Sequence, residues 1–379
     1  MGSHPHFTPS EFAGRIDRLR SRMRTAEVDI ALFDELESMA WLSGYANSEN
    51  RWRCVAIPLE GKPFYLIRAL DAGPCRSRIW FDNVITFRDW EDPMPVLAQA
   101  LDKEGFASNR IGINLSSYCL PVARFEAMKR ALPQAQFVNL GAIIDELRLI
   151  KSSAEIELMR KAARIADEAL RSAAAECVRG GSQREPAKAA MGIFLDRGAD
   201  ADRAGIVSRA RSWDFLHAHS DDEALAEGDV VHLEIVPRVG NYSARVMRCV
   251  VIGKPADQIR QTAEQLASLQ DAQITAMKPG AIAEEVDAIL RSGLLASGLR
   301  ESVDHITGYT LGYYSHATPH TSDFTRMFCP GEKWRLEPNM TFHMYASAGG
   351  VSFSETVLVT STGVERLTRL PRTLIVNPP

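Results

Sequence analysis

The sequence contains no long apolar run and no paired-cysteine motif. No segment approaches the roughly 18 consecutive apolar residues that cross a bilayer, and Met1–His6 lacks the apolar core of a signal peptide. We therefore expect no association with a membrane. The six cysteines are widely spaced and include no CxxC pair, which predicts reduced, buried thiols in a cytoplasmic protein.

An excess of basic residues is also absent. Lys and Arg total 44 while Asp and Glu total 48, so the formal net charge is −4. Nucleic-acid-binding proteins usually carry a basic balance or stripe, so this composition argues against a nucleic-acid partner. Hydrophobic residues at 45% and charged residues at 24% are ordinary for a globular protein. The length of 379 residues predicts two or three domains.

Residues 1–150 alternate helix-like and strand-like segments. Helical spacing over residues 11–27 precedes the buried strand Val28–Phe33, and the turn Leu59–Lys62 separates two strands of a predicted hairpin. Two further helices then alternate with two further strands. This pattern predicts an α/β N-terminal domain with a mixed sheet.

The pattern changes near residue 151, where we place the domain boundary. Ser152 or Ser153, with Glu155 in the first turn, is a helix-start signal. The second domain, residues 151–379, is predicted to be α+β. Its clearest elements are two strands and two long helices, at 230–237, 242–252, 256–276 and 281–297.

Seven of the nine histidines lie between residues 217 and 343. A site built from imidazoles would therefore belong to the second domain, although scattered core histidines would give the same count. This distribution directs the search for chemistry to residues 151–379.

Four segments of the second domain form a pattern of fixed order and spacing: Lys151–Ala162, Leu225–Val231, Leu336–Phe342 and Glu355–Thr360. This pattern resembles that of the "pita-bread" superfamily of creatinase, prolidase and aminopeptidase P. The resemblance implies a creatinase-like N-terminal domain followed by an α+β pita-bread catalytic domain.

The peptidases of this superfamily bind two metal ions through five acidic or histidine side chains. The resemblance places those positions at Glu234, Arg245, Tyr309, Tyr345 and Ser354. A guanidinium at such a position repels a cation by about 1 kcal/mol at 4 Å even in bulk water, and by more when buried. We therefore predict no metal and no other cofactor.

Five motifs carry a second resemblance: Met39–Tyr45, Leu233–Ile235, Gly308–Gly312, Leu336–His343 and Ser354–Thr356. They are similar to motifs of the ectoine hydrolases of the same superfamily. It implies hydrolysis of a C–N bond in a small amide or cyclic amidine, as creatinase also performs without metal. The segment 312–320 departs from the ectoine hydrolase pattern, which leaves the substrate open.

The resemblance assigns chemical roles to several residues. Glu234 is predicted to act as nucleophile or general base, and Arg245 to bind a substrate carboxylate. A structural ion pair between these two residues is the alternative. The other predicted catalytic residues are a proton-shuttling His217, Glu355 as a proton-sharing partner of Glu234, and Tyr309 and Tyr345 as hydrogen-bond donors to developing charge.

Further residues are predicted to contact a small-molecule substrate. In the second domain these are His219, His316 and His343. Trp41 and Tyr45 of the first domain are predicted to close the pocket of a neighbouring subunit, because creatinase-like proteins are commonly homodimers.

Two other functions remain open at this point. One is a metal-dependent Xaa-Pro dipeptidase or aminopeptidase, and the other is a catalytically inactive pita-bread module that binds peptide or protein. Metal content and turnover distinguish both from a metal-independent hydrolase.

Overall fold

The computed structural model describes residues 6–46, 50–200, 204–210, 212–314 and 322–378. The chain divides into two compact units, the first ending at Arg148 and the second beginning at Leu149. Within the described ranges, no helix is both long enough and apolar enough to span a membrane.

The first unit is built on a six-stranded sheet. Its strands are β1 (Ile30–Phe33), β2 (Cys54–Pro58), β3 (Phe64–Arg68), β4 (Val84–Phe87), β5 (Arg110–Ile113) and β6 (Gln136–Asn139). They lie in the order β4-β3-β2-β1-β5-β6. Strand β1 pairs antiparallel with β2 and parallel with β5, so the sheet is mixed as predicted.

Helices cover both faces of this sheet. They are α1 (Pro9–Thr25), α2 (Leu36–Ser43), α3 (Ala72–Arg78), α4 (Pro93–Lys103), α5 (Val122–Ala131) and α6 (Ile143–Arg148). One apolar cluster joins the sheet to α1, α2, α3 and α6, and a second joins it to α4 and α5. The α/β prediction for this domain is confirmed.

The described residues of the second unit form a larger sheet, a separate two-stranded sheet and four helices. Its strands are β7 (Gly205–Arg209), β8 (Val230–Ile235), β9 (Arg238–Val239), β10 (Tyr242–Ser243), β11 (Val246–Ile252), β12 (Gly308–Thr310), β13 (Met327–Phe328), β14 (Thr341–Ala348), β15 (Val351–Val359), β16 (Val364–Arg366) and β17 (Ile375–Asn377). The helices are α7 (Ser153–Ala175), α8 (Arg184–Asp196), α9 (Asp257–Thr275) and α10 (Ala283–Ala296).

The main sheet has the order β13-β12-β14-β15-β11-β8-β7, with β16 paired to β15 and β17 to β11. Helix α7 packs against β8 and β11, and α9 packs against β14 and β15. Helix α7 begins with the predicted capping box, in which the Ser152 hydroxyl and the Glu155 carboxylate each accept the other residue's backbone N–H.

The predicted strand 242–252 is interrupted in the structure. Strand β10 ends at Ser243 and β11 begins at Val246. Between them the Ala244 N–H donates in register to the Pro237 carbonyl (3.2 Å), but Pro237 has no N–H to return the bond, so the ladder is incomplete there. The interruption places Arg245 between two strands rather than within one. Helix α8 was not predicted from the sequence.

Candidate active site

The register of the central strands brings three predicted positions to one face of the sheet. Glu234 lies opposite Met247, Met247 opposite Ser354, and Ser354 opposite Tyr345. Residues directly opposite each other in a ladder project from the same face. Glu234, Ser354 and Tyr345 therefore share a face, which we call the site face.

A second row on the site face lies two residues along the same strands. Tyr309 of β12 is opposite His343 of β14, and His343 is opposite Thr356 of β15. Because side chains alternate with a period of two, His343 projects on the same side as Tyr345. The structure thus brings together predicted residues that are more than 100 positions apart in the chain.

The backbone of Arg245 is held at the strand interruption by one side chain. The Thr356 hydroxyl accepts a hydrogen bond from the Arg245 N–H (2.8 Å) and donates to the Arg245 carbonyl (2.9 Å). The Arg245 guanidinium then reaches two site residues. Its Nη1 lies 3.4 Å from Oε1 of Glu234 and donates to the Tyr309 hydroxyl.

Glu234 is the central carboxylate of the site and is only 4% exposed. Burial raises the pKa of this carboxyl, while the charges of Arg245 and His217 act in the opposite direction. Its Oε1 has no hydrogen-bond partner among the described residues. A buried carboxyl with a raised pKa, whose oxygen is ion-paired with Arg245 but not hydrogen-bonded, is suited to proton transfer.

Rings pack around His343 on the site face. The His343 ring stacks on Tyr345 at 5.4 Å and meets the edge of Tyr309 at 5.1 Å. Burial holds the pKa of His343 well below its usual range, so its imidazole is neutral. Neither ring nitrogen has a hydrogen-bond partner among the described residues, so His343 can recognise a polar group of a ligand.

The two tyrosines remain hydrogen-bond donors at neutral pH. Burial raises the pKa of Tyr309 and of Tyr345 above the usual value for a phenol. On the far side of Tyr345 lies His305, whose ring stacks on it at 5.5 Å. His305 was not predicted as a site residue.

His217 is exposed and occupies a short 3₁₀ turn, Phe215–His217. Its charge influences the pKa of both Glu234 and His232, so the turn lies near the site face. His219 is also exposed, two residues further along. His316 falls within 315–321, outside the described residues.

The prediction for Glu355 is wrong. Glu355 is adjacent to Ser354 on β15, so it projects from the opposite face of the sheet, the face that α9 covers. There it is fully buried, accepts a hydrogen bond from Nη2 of Arg248 (2.7 Å) and another from Thr368. Glu355 cannot share a proton with Glu234 across the sheet.

The structure also contradicts the role predicted for Trp41. Its side chain is 1% exposed and lies in the first unit's apolar cluster. The guanidinium of Arg15 lies 5.0 Å from the centre of the Trp41 ring, which leaves no surface for a substrate. Tyr45 is half-buried in the same unit, with its ring 6.1 Å from Tyr65. Its contact with a neighbouring subunit stays a prediction.

Sequence reasoning missed His232, which is fully buried on the site face two residues before Glu234. Its Nδ1 is 2.8 Å from the Ser352 hydroxyl, and its ring meets the edge of Phe215 at 5.1 Å. Burial, with a smaller contribution from His217, lowers the pKa of His232 to about 3. The alternation of His232 and Glu234 along a buried strand was the signal for a shared face.

Because the pKa of His232 is depressed in the folded state, we expect acid to destabilise the protein through this residue. Below the unfolded value of about 6.5 the unfolded chain binds a proton that the folded chain excludes, which costs about 1.4 kcal/mol per pH unit. Urea titrations at pH 7, 6 and 5 should show that the free energy of unfolding falls as the pH is lowered. The fall should be smaller in His232→Gln than in the parent protein. Equal pH slopes for the two proteins would contradict the assignment.

Comparison with known proteins places the chain in a family. The family described as Metallopeptidase family M24 matches residues 157–361, and the Creatinase/Prolidase N-terminal domain matches residues 15–150. The chain belongs to metallopeptidase family M24. The predicted two-domain architecture is confirmed, with a creatinase-like domain followed along the chain by an M24 pita-bread domain.

Relatives within the M24 family include hydrolases of different kinds. The chain is 27% identical over 396 residues to an ectoine hydrolase of Halomonas elongata, covering 98% of each chain. It is 30% identical over 275 residues to an Xaa-Pro dipeptidase of Pyrococcus horikoshii, covering 72% of this chain and 76% of that one. A prolidase structure from Thermococcus sibiricus superposes with a TM-score of 0.84 at 23% identity, covering 97% and 99% of the two chains.

The M24 name implies a metal centre, and the site residues can be tested against it. Among the described residues, no group of three or more His, Cys, Asp or Glu side chains is arranged to hold a metal ion. Hard divalent cations need several converging anionic oxygens or neutral imidazoles. Here one carboxylate faces a guanidinium at 3.4 Å, beside two phenols and the Ser354 hydroxyl. These residues do not fit a dinuclear metal centre.

Proposed function

We propose that this M24 protein is a metal-independent hydrolase that cleaves a C–N bond in a small amide or cyclic amidine bearing a carboxylate. The observation that carries the proposal is the buried array of Glu234, Arg245 and Tyr309. In this array the positively charged guanidinium of Arg245 occupies a position that corresponds to a metal ligand in the peptidases. This array supplies a proton acceptor, a carboxylate receptor and a hydrogen-bond donor in one place.

Substrate binding begins at Arg245 in this proposal. Its guanidinium can take a carboxylate through two parallel hydrogen bonds, which fixes the substrate's orientation as well as its position. Arg245 already lies beside Glu234 and Tyr309. A bound carboxylate would therefore stand next to both groups.

The chemical step uses Glu234 as a general base. Its raised pKa suits it to take a proton from water near neutral pH. The phenols of Tyr309 and Tyr345, which stay protonated, donate hydrogen bonds to the oxygen or nitrogen on which charge develops. His217 passes a proton to the leaving nitrogen.

The full-length similarity to an ectoine hydrolase supports a cyclic amidine as the substrate class. The similarity to an Xaa-Pro dipeptidase favours a second candidate, a peptidase. That candidate requires a metal-binding set that Arg245 and the two tyrosines do not supply. We therefore place the cyclic amidine first.

We expect the purified protein to hydrolyse a carboxylated cyclic amidine such as ectoine, with activity unchanged by chelator and not stimulated by manganese, cobalt or zinc. Elemental analysis should find substoichiometric metal. Xaa-Pro dipeptides, assayed in parallel, should not be cleaved. Two bound equivalents of metal with dipeptide cleavage would establish the peptidase instead, and no turnover on either substrate class would favour a binding module.

A further inference from the structure

Beside Glu234 the site face carries two more buried polar side chains. Ser208 of β7 lies opposite His232 of β8, so both project from the same face, and Glu234 follows two residues later on that face. Ser208 and His232 have no exposed surface. We call these three residues the polar recess.

Each member of the polar recess has a buried polar atom with no hydrogen-bond partner among the described residues, although Oε1 of Glu234 lies 3.4 Å from the Arg245 guanidinium. The Ser208 hydroxyl, Nε2 of His232 and Oε1 of Glu234 are buried and make no hydrogen bond within the described part of the chain. Leaving one buried polar atom unsatisfied costs about 1–3 kcal/mol. Three on neighbouring register positions indicate a small polar ligand between them, and a water molecule makes two to four such bonds.

The His232 ring is fixed so that Nε2 is the nitrogen left for that ligand. Nδ1 is engaged by the Ser352 hydroxyl at 2.8 Å, which itself lies 3.5 Å from Sγ of Cys249. Phe215 packs on the ring from the side. The engagement of Nδ1 leaves Nε2 as the ring's only available polar atom.

We propose that Ser208 and His232 are positioning residues that, with Glu234, hold the hydrolytic water. The role of this water as a reactant rests on the proposed function. The water oxygen forms the new bond to the substrate carbon while Glu234 takes one water proton. The C–N bond then breaks, its electron pair stays on nitrogen, and that nitrogen takes a proton from His217. Glu234 releases its proton to solvent and His217 regains one, so both groups return to their starting state. No metal or redox partner is needed for this balance.

Two substitutions of His232 separate water positioning from a structural role. The amide of His232→Gln reaches the place of Nε2, whereas that of His232→Asn reaches the place of Nδ1 and retains the contact with Ser352. We expect His232→Asn to lower kcat by about 10²-fold with KM nearly unchanged, and His232→Gln to retain most of kcat, because misplacing a reactant by about 1 Å has an effect of that size. Ser208→Ala should also lower kcat rather than raise KM.

A merely structural His232 predicts the reverse order, with His232→Asn active and His232→Gln impaired. That order, or unchanged kcat in both His232→Asn and Ser208→Ala, overturns the proposal. Thermal melts establish that each variant is folded before its kinetics are compared.

A high-resolution crystal structure tests the recess without relying on turnover. We expect an ordered water within hydrogen-bond distance of the Ser208 hydroxyl and Nε2 of His232 in the parent protein, and its loss in His232→Asn. A parent recess without such a water overturns the proposal even if the enzyme is active. A water present in a protein that turns over no substrate supports the subsite and refutes the proposed function alone.

Discussion

Replacing Glu234 by Gln is expected to lower kcat by about 10³–10⁴-fold, because the amide cannot accept the proton of the attacking water. The substitution preserves the size of the side chain but leaves the Arg245 guanidinium without its buried anionic partner. We therefore expect the free energy of unfolding to fall by about 3 kcal/mol, as we also expect for Glu355→Gln. Steady-state kinetics and urea titration measure the two quantities on the same preparation.

Glu355→Gln is the matched control for this experiment. Glu355 is also a buried carboxylate paired with an arginine, Arg248, but it lies on the opposite face of the same sheet. Breaking that pair should cost about 3 kcal/mol or more in stability, while the folded fraction keeps its turnover. If kcat of Glu234→Gln is comparable to that of the parent, or if kcat falls equally in Glu234→Gln and Glu355→Gln, Glu234 has no role in the chemical step.

Arg245→Met is expected to give the second large effect. Without the guanidinium the substrate carboxylate loses its partner, and kcat/KM should fall by about 10²–10³-fold, mostly through KM. The loss of the nearby positive charge should also raise the pKa of Glu234 further. Because the base must be ionised to act, the acid limb of the pH–rate profile should move to higher pH.

Arg245→Lys distinguishes charge from geometry in this experiment. A lysine retains one positive charge but cannot form two parallel hydrogen bonds to a carboxylate. We expect an intermediate KM and a smaller displacement of the acid limb than in Arg245→Met. A parent-like KM in Arg245→Met would show that Arg245 is only the structural partner of Glu234.

Much of the fold could be predicted because local signals agreed with the tertiary structure. Ser152 and Glu155 mark the start of α7, and the turn Leu59–Lys62 lies between β2 and β3. The interruption at Ala244 was not predicted, because it depends on which residue of the neighbouring strand lies opposite Pro237, whose nitrogen cannot donate to the ladder. Local propensity carries no information about such a contact.

The site was predicted in part, and each error has a physical cause. Ser354 and Glu355 are neighbours, and the sequence favoured the acidic one as chemically useful. The register of Ser354 with Tyr345 decides which of the two faces the site, and a shift of one residue reverses the answer. The prediction for Trp41 was wrong for another reason, because an aromatic residue in a motif packs in a core as readily as it lines a pocket.

The hydroxyl of Thr356 binds the backbone N–H and carbonyl of Arg245. These two hydrogen bonds do not depend on the side chain at position 245. An acidic or a basic residue can therefore occupy this position without a change in the surrounding strands. A scaffold with this property can exchange one chemistry for another by point substitution. Replacing Arg245 by an acidic residue would therefore test how few substitutions convert a site without a metal ion into one that binds a cation.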